Sequence, residues 1–205
     1  MIGPKEKRER ALGVRLGLKG ERSMSPKSAM VRKPYRPGVH GPSSRPRALS
    51  EFGLQIREKN KFKLSYGVNE NTLKRLFKMA QSAKGATGAK MLELLESRLD
   101  NVVFLLGFAP SRGAARQLVF HGHIAVNKKK VVSPGFQLRK GDVIAVRSGS
   151  MTTGVIAKRK DLLKKFEAPS WLRMDPEKLE GEVLSAPSDL NPPFEINLLV
   201  ESFSK

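Results

Sequence analysis

Residues 95–147, LESRLDNVVFLLGFAPSRGAARQLVFHGHIAVNKKKVVSPGFQLRKGDVIAVR, carry the pattern that decides the fold. The apolar spacing changes partway along, from three- and four-residue steps to alternation, so the stretch reads as two helices followed by a tight β-meander. Leu92, Leu95, Leu99, Val102, Val103 and Leu106 fall on one stripe of a helix that Gly107 can end. After Pro110, Ser111 is placed to cap a second helix, Arg112 to Phe120, with Ala115, Leu118 and Val119 facing the first and Gly122 stopping it. Arg112 and Arg116, four residues apart, share its exposed face. Ile124 and Val126 then alternate with Ala125 and Asn127, residues 127–130 turn, Val131 and Val132 begin a return strand, and Val143 to Val146 form a buried strand after the Gly141-Asp142 turn. In this reading Arg112, Arg116, His121, His123, Lys128, Lys129 and Lys130 converge on one edge of a small fold. A pair of helical arginines alone is usually a solvated face, whereas a cluster of this kind points to RNA phosphates.

The basic character extends well beyond this stretch. The 205 residues carry 39 Lys and Arg against 19 Asp and Glu, a formal charge of +20 and a pI near 10.5. A folded chain so cationic repels itself unless a polyanion is close, which makes nucleic acid the leading partner. An anionic membrane is the competing one. No run of about twenty apolar residues and no basic amphipathic helix with aromatic anchors supports it. Residues 1–90 hold 22 cations against 6 acids, residues 91–147 hold 9 against 4, and residues 148–205 hold 8 against 9. The polyanion footprint is therefore expected in the first two parts, with the tail structural or protein-facing. The start shows no apolar signal segment, and cysteine is absent, so the cytosol, or an organelle of similar interior, is the expected compartment.

Residues 1–50 show little hydrophobic periodicity, 13 cations and turn-prone strings such as KPYRPGVHGPSSRPR. Alone in water this basic arm is expected to be largely disordered. Tyr35 and His40 can stack on bases or simply fill loops, whereas the arm's cations neutralise phosphate in either case. From Ser50, Phe52, Ile56, Lys59 and Lys63 define a helix ended by Gly67. Asn69 or Asn71 can cap another, carrying Leu73, Leu76, Phe77 and Ala80, that ends by Gly85. Arg57, Lys61, Lys74, Arg75 and Lys78 on the polar side are read as phosphate contacts in preference to a plain solvated face. Residues 154–166 read as a linking helix, and Asp175-Pro176 opens a short helical turn through Leu179. Trp171, Leu172, Leu184, Phe194, Ile196, Leu198, Leu199, Val200 and Phe203 make the tail too apolar to be free.

Enzyme motifs do not appear. There is no GxxxxGK[ST], HExxH, GxSxG or EF-hand loop, no cysteine nucleophile, and only three histidines. His121 and His123 can hold a metal weakly, but in a basic cluster at a helix end they are read as contacting RNA backbone or capping carbonyls.

The strings ESRLDNVVF, SRGAARQLVFHGHIAVN and LRKGDVIAV closely resemble the S4 RNA-binding domain, and its ribosomal member in particular. That domain also occurs in pseudouridine synthases, a heat-shock ribosome-recycling protein and tyrosyl-tRNA synthetases, so alone it implies RNA binding only. The arm text GVRLGLKGERSMSPKSAM and the ending WLRMDPEKLEGEVLSAPSDLNPPFEINLLVESFSK carry the resemblance over nearly the whole chain, to the bacterial small-subunit ribosomal S4 family. The resemblance implies an α+β architecture, a mostly helical domain built from both ends of the chain with an S4 domain inserted. Its parts would be a basic arm over residues 1–50, a helical unit over 51–90 completed by 168–205, an S4 domain over 91–150 and a linking helix over 151–167.

It implies a non-enzymatic component of the small subunit that binds 16S rRNA directly, nucleates early assembly, and lies beside small-subunit proteins five, twelve and three where messenger RNA enters. There it would contribute to translational accuracy. The alternative is a free regulatory or quality-control factor with the same domain. Candidate rRNA contacts are Arg98, Arg112, Arg116, His121, His123, Lys128, Lys129 and Lys130 in the central stretch. Lys33, Arg36, Arg45 and Arg47 add to them in the arm, and Arg57, Lys61, Lys74 and Arg75 in the helical unit. Many family members hold zinc in the arm through Cys-x2-Cys and Cys-x4-Cys, but Glu6, Glu9, Ser23 and Ser28 stand at those positions here. Serine hydroxyls are poor zinc ligands, so the chain resembles the zinc-free branch, without a cofactor, and its arm is expected to take its order from RNA and neighbours. Leu105 stands where members often carry Arg, and Lys128 where the hairpin turn often has Gly.

Overall fold

A computed structural model describes residues 4–43, 48–151, 154–157, 159–163, 166–188 and 194–204. Its helices are α1 Lys5–Leu12, α2 Glu21–Met24, α3 Ala29–Arg32, α4 Glu51–Ser65, α5 Glu70–Gln81, α6 Thr87–Glu96, α7 Leu99–Leu105, α8 Arg112–Phe120, α9 Gly154–Ala157, α10 Lys160–Leu163 and α11 Ile196–Ser204. Its strands are β1 Ile124–Val126, β2 Lys129–Lys130, β3 Val143–Val146, β4 Leu172–Asp175 and β5 Glu180–Val183. The chain divides into one unit of residues 1–88 with 192–205 and a second of residues 89–191.

In the first unit, Ser50 and Asn69 start α4 and α5 by accepting hydrogen bonds from Gly53 N and Thr72 N, at 3.3 and 2.8 Å. Phe62, Leu73, Leu76, Phe77 and Ala80 form the buried face of the pair. The C-terminal segment joins them: Phe62 meets Phe194 with ring centroids 4.9 Å apart, and Phe77 meets Phe203 at 5.4 Å. Glu70 at the start of α5 draws Lys63 to 2.8 Å and Lys59 to 3.1 Å, which pins the end of α4 to it.

Residues 4–43 of the arm are ordered within this unit, a correction to the expected disorder. Glu9 on α1 is only 1% exposed, and its carboxylate accepts hydrogen bonds from the backbone N–H groups of Leu16 and Leu18, at 3.0 and 3.2 Å. Buried Ser23 accepts from Lys19 N at 3.2 Å, and buried Ser28 caps α3 by accepting from Met30 N at 3.4 Å. Glu6 lies 3.4 Å from Arg22 and 3.8 Å from Lys19. Of the four residues at the zinc-ligand positions of the resemblance, Glu9, Ser23 and Ser28 thus satisfy loop amides directly, while Glu6 pairs with cationic side chains. Composition alone hides this, because a low apolar content says nothing about internal hydrogen bonding.

The second unit is built on a sheet of order β2-β1-β3-β5-β4, antiparallel throughout. Its core joins Leu99, Val102, Val103 and Leu106 of α7 and its end, Ala115, Leu118 and Val119 of α8, and Ile124, Val126, Ile144 and Val146 of the sheet to Trp171, Leu172 and Val183. Gly181 lies against Leu106 so closely that any side chain there would displace it.

Several expectations need correction here. The first helical stripe is broken into α6 and α7: Arg98 is extended and bridges Gln137, while Leu99 N donates to Phe136 O at 2.9 Å and Leu138 N to Ser97 O at 2.9 Å. A strand-like contact from residues 136–138 thereby replaces the intrahelical bonds. The hairpin turn is tighter than expected, with Asn127 at φ 49° and Lys128 at φ 66°, so the return strand is Lys129–Lys130 and not Val131–Val132. The linking stretch forms two single turns, α9 and α10. Residues 168–188 do not complete the helical unit but form β4, β5 and their flanks, because β3 has an open edge that β5 fills, Val143 opposite Glu182 and Ala145 opposite Glu180. The Asp175-Pro176 turn closes the β4–β5 hairpin, with the Asp175 carboxylate accepting from Glu177 N and Lys178 N. Of the tail, residues 194–204 alone join the helical unit among those described.

Candidate nucleic-acid interface

The second unit gathers its cations where α8 runs into β1. Ser111 caps α8 by accepting from Ala114 N at 3.3 Å, which aims Arg112, Arg116 and Phe120 along one face at four-residue steps. Arg112 is oriented from below: its Nε donates to Asn101 Oδ1 at 2.7 Å and its guanidinium sits 4.9 Å from the Phe104 ring centroid. Arg116 reaches Asp100 at 3.5 Å yet leaves 48% of its side chain exposed. Asp100 is itself held by Arg98, whose Nε and Nη2 donate to its two oxygens at 3.0 and 2.8 Å.

After α8 the chain turns at Gly122, φ 72°, into β1. A Cβ at Gly122 would collide with the Lys130 stem, which crosses from β2. Arg147, one residue past β3, donates from Nη1 to Gly122 O at 3.1 Å, and its own N–H bonds to His123 O at 2.9 Å. His121 and His123 lie on either side with ring centroids 6.2 Å apart, and His123 Nδ1 is 3.0 Å from Ser150 Oγ. Lys130, Arg147 and the two imidazoles therefore surround one turn, a short distance along α8 from the arginine stripe. Such an arrangement offers several donors to successive phosphates of a folded RNA.

Not every predicted contact joins this surface. Arg98 is 3% exposed and spends its guanidinium on Asp100, so it supports the site from inside. Lys129 neighbours Lys130 on β2 and points to the other face by strand alternation, so the three lysines do not act as one edge. Lys128 and Lys129 are both exposed. In the first unit Arg57 donates to Leu12 O at 2.6 Å, and Lys61 pairs with buried Glu58, so both are engaged within the fold. Lys74, Arg75, Lys33 and Arg36 are exposed or partly so, while Arg45 and Arg47 lie outside the described residues. Tyr35 is held by Arg10, whose guanidinium carbon is 5.0 Å from its ring centroid, and His40 is exposed. Sequence reasoning missed Arg147, which the β1–β3 register, Ile124 opposite Val146, would have placed beside His123.

Among the described residues, no group of three or more His, Cys, Asp or Glu could hold a metal ion, and no helix is long and apolar enough to cross a membrane.

A paired helix element on an antiparallel sheet with a basic turn at its edge defines an RNA-binding domain of the S4 class. Residues 97–144 match the S4 domain, and residues 1–96 match the ribosomal protein S4/S9 N-terminal domain. The small ribosomal subunit protein uS4 of Thermus thermophilus is 45% identical over 206 residues, covering 100% of this chain and 98% of that protein. The uS4 proteins of Acetivibrio thermocellus, 45% identical over 94% of this chain and 93% of the relative, and Roseiflexus castenholzii, 44% identical over 100% and 98%, are similarly close. The chain belongs to the uS4 family of ribosomal proteins, a family of RNA-binding proteins and not of enzymes.

Proposed function

We propose that this chain is a structural component of the small ribosomal subunit that binds 16S rRNA directly, within cytoplasmic ribosomes. The observation that carries this reading is the turn at Gly122, where Lys130, Arg147, His121 and His123 meet beside the exposed Arg116 on a family-matched fold. Phosphate neutralisation by these groups and by the exposed arm and helix cations supplies affinity. A rigid surface fitted to a folded multi-helix junction supplies selectivity. The division into an arm with a helical unit and an S4 unit suits early binding, since two separately folded surfaces can bring distant RNA helices into one arrangement. In the assembled subunit the chain lies beside proteins five, twelve and three where messenger RNA enters, and contributes there to accuracy.

The test is 16S rRNA binding across a salt series. Arg112→Ala with Arg116→Ala should weaken binding and make the slope of log K against log salt shallower, by about one for each phosphate that is no longer neutralised. An unchanged slope contradicts the assignment of these arginines to phosphate.

A further inference from the structure

Phe120 is left unexplained by phosphate contacts. It is the last residue of α8 and 69% exposed, between the α8 arginines and the cations at the Gly122 turn. Arg116 lies one helical turn behind it on the same face, and Lys130 and Arg147 lie beyond Gly122. His121 meets the Phe120 ring nearly perpendicular, at 79° with centroids 6.0 Å apart, so it does not stack on it. A bare aromatic ring among cations suits a partner that brings both an apolar face and negative charge. Unpaired RNA matches both features, because its bases offer flat π faces and its backbone offers phosphates at neighbouring positions.

We infer that Phe120 is a stacking platform for an unpaired nucleobase of the bound RNA, with Arg116 and Lys130 holding the flanking phosphates. The inference rests on the rRNA-binding reading and deepens it: the site takes a looped-out or single-stranded nucleotide, not only the outside of a duplex. Stacking is tolerant of base identity, so the platform fixes the position of an extruded base and does not read sequence.

The experiment uses the full chain and 16S rRNA, with affinity measured over a salt series for Phe120→Ala, Phe120→Leu, Phe120→Trp and Lys130→Ala. Trp171 fluorescence and urea midpoints, read on Phe120→Ala and Phe120→Leu against the unsubstituted chain, confirm that these variants fold, as expected for an exposed position. Phe120→Ala and Phe120→Leu should each lose about tenfold in affinity, within the range for removal of a base-stacking aromatic. Their salt slopes should stay unchanged, whereas Phe120→Trp should bind as tightly as the unsubstituted chain. Lys130→Ala should weaken binding and reduce the slope. If Phe120→Leu binds like the unsubstituted chain while Lys130→Ala is impaired, the stacking inference is overturned and the rRNA reading stands. If Phe120→Ala leaves RNA affinity intact but lowers incorporation into subunits, the ring serves a protein partner and the inference is again overturned. If Lys130→Ala, Arg112→Ala and Arg116→Ala all leave affinity and slope unchanged, the rRNA reading itself fails and takes the inference with it.

Discussion

Loss of Asp100 should cost the S4 unit a large part of its stability. Its carboxylate is buried and receives both Nε and Nη2 of Arg98, which is equally buried, with Arg116 attached from the solvent side. Asp100→Ala leaves the Arg98 guanidinium enclosed without its counter-charge, and breaking a buried pair from one side costs about 3–5 kcal/mol. The Arg116 contact, half exposed, adds no more than about 1 kcal/mol. That loss is a large share of a domain stability of about 5–15 kcal/mol. With a urea m-value of about 1.5–2 kcal/mol/M the unfolding midpoint should fall by about 2 M. Trp171, the only tryptophan, is buried in the same core as α7 and reports this transition by fluorescence. Arg98→Met with Asp100→Leu removes both charges and should recover most of the loss. A midpoint shift below about 0.5 M for Asp100→Ala would falsify the view that this pair holds the junction of α6 and α7.

Three further outcomes follow from particular contacts. Glu9→Ala strips the acceptor from two amides and should destabilise the arm by about 1–3 kcal/mol, seen as faster hydrogen exchange at Leu16 and Leu18, while Glu9→Gln should cost less. For Glu70, burial raises the carboxyl, but the hydrogen bonds from Lys63 and Lys59 outweigh it and hold it below the ordinary carboxylate range. Its stabilisation is therefore present above the unfolded-state value and lost as pH falls through the lowered one. Glu70→Gln should cost under about 1 kcal/mol at neutral pH, because the carboxylate is a third exposed, and the difference from the unsubstituted chain should vanish in acid. Lys128→Gly should stabilise the hairpin by about 1 kcal/mol by relieving the left-handed φ of 66°, and its effect on the rRNA salt slope reports whether that lysine meets phosphate.

The elements legible in the sequence are those set by local chemistry. The Ser111 cap, the apolar spacing of Ala115, Leu118 and Val119, and Gly122 define α8 without reference to the rest of the chain, and Asn69 does the same for α5. What escapes depends on distant partners. The break at Arg98 is made by residues 136–138, nearly forty positions away, although the apolar stripe runs through it unbroken. Likewise β4 and β5 are short, and only the open edge of β3 selects them as strands. The order of the arm is hidden because it comes from a buried carboxylate and two serines, polar residues that hydropathy counts as solvent-facing. At the candidate interface, residue type proposes the lysines and histidines, but burial takes Arg98 off the surface, and strand register places Arg147 beside His123. Phe120 gives no signal in the sequence, since an aromatic residue at a helix end is ordinarily core.

The most direct measurement is sedimentation of cell extracts through a sucrose gradient after a high-salt wash, with this chain quantified against small-subunit rRNA. A structural component of the small subunit predicts stoichiometric co-sedimentation that survives the wash and is reduced in the Arg112→Ala, Arg116→Ala variant. A chain found mainly in the unbound fractions, or stripped from subunits by the wash, contradicts that account and marks a free RNA-binding factor built on the same fold.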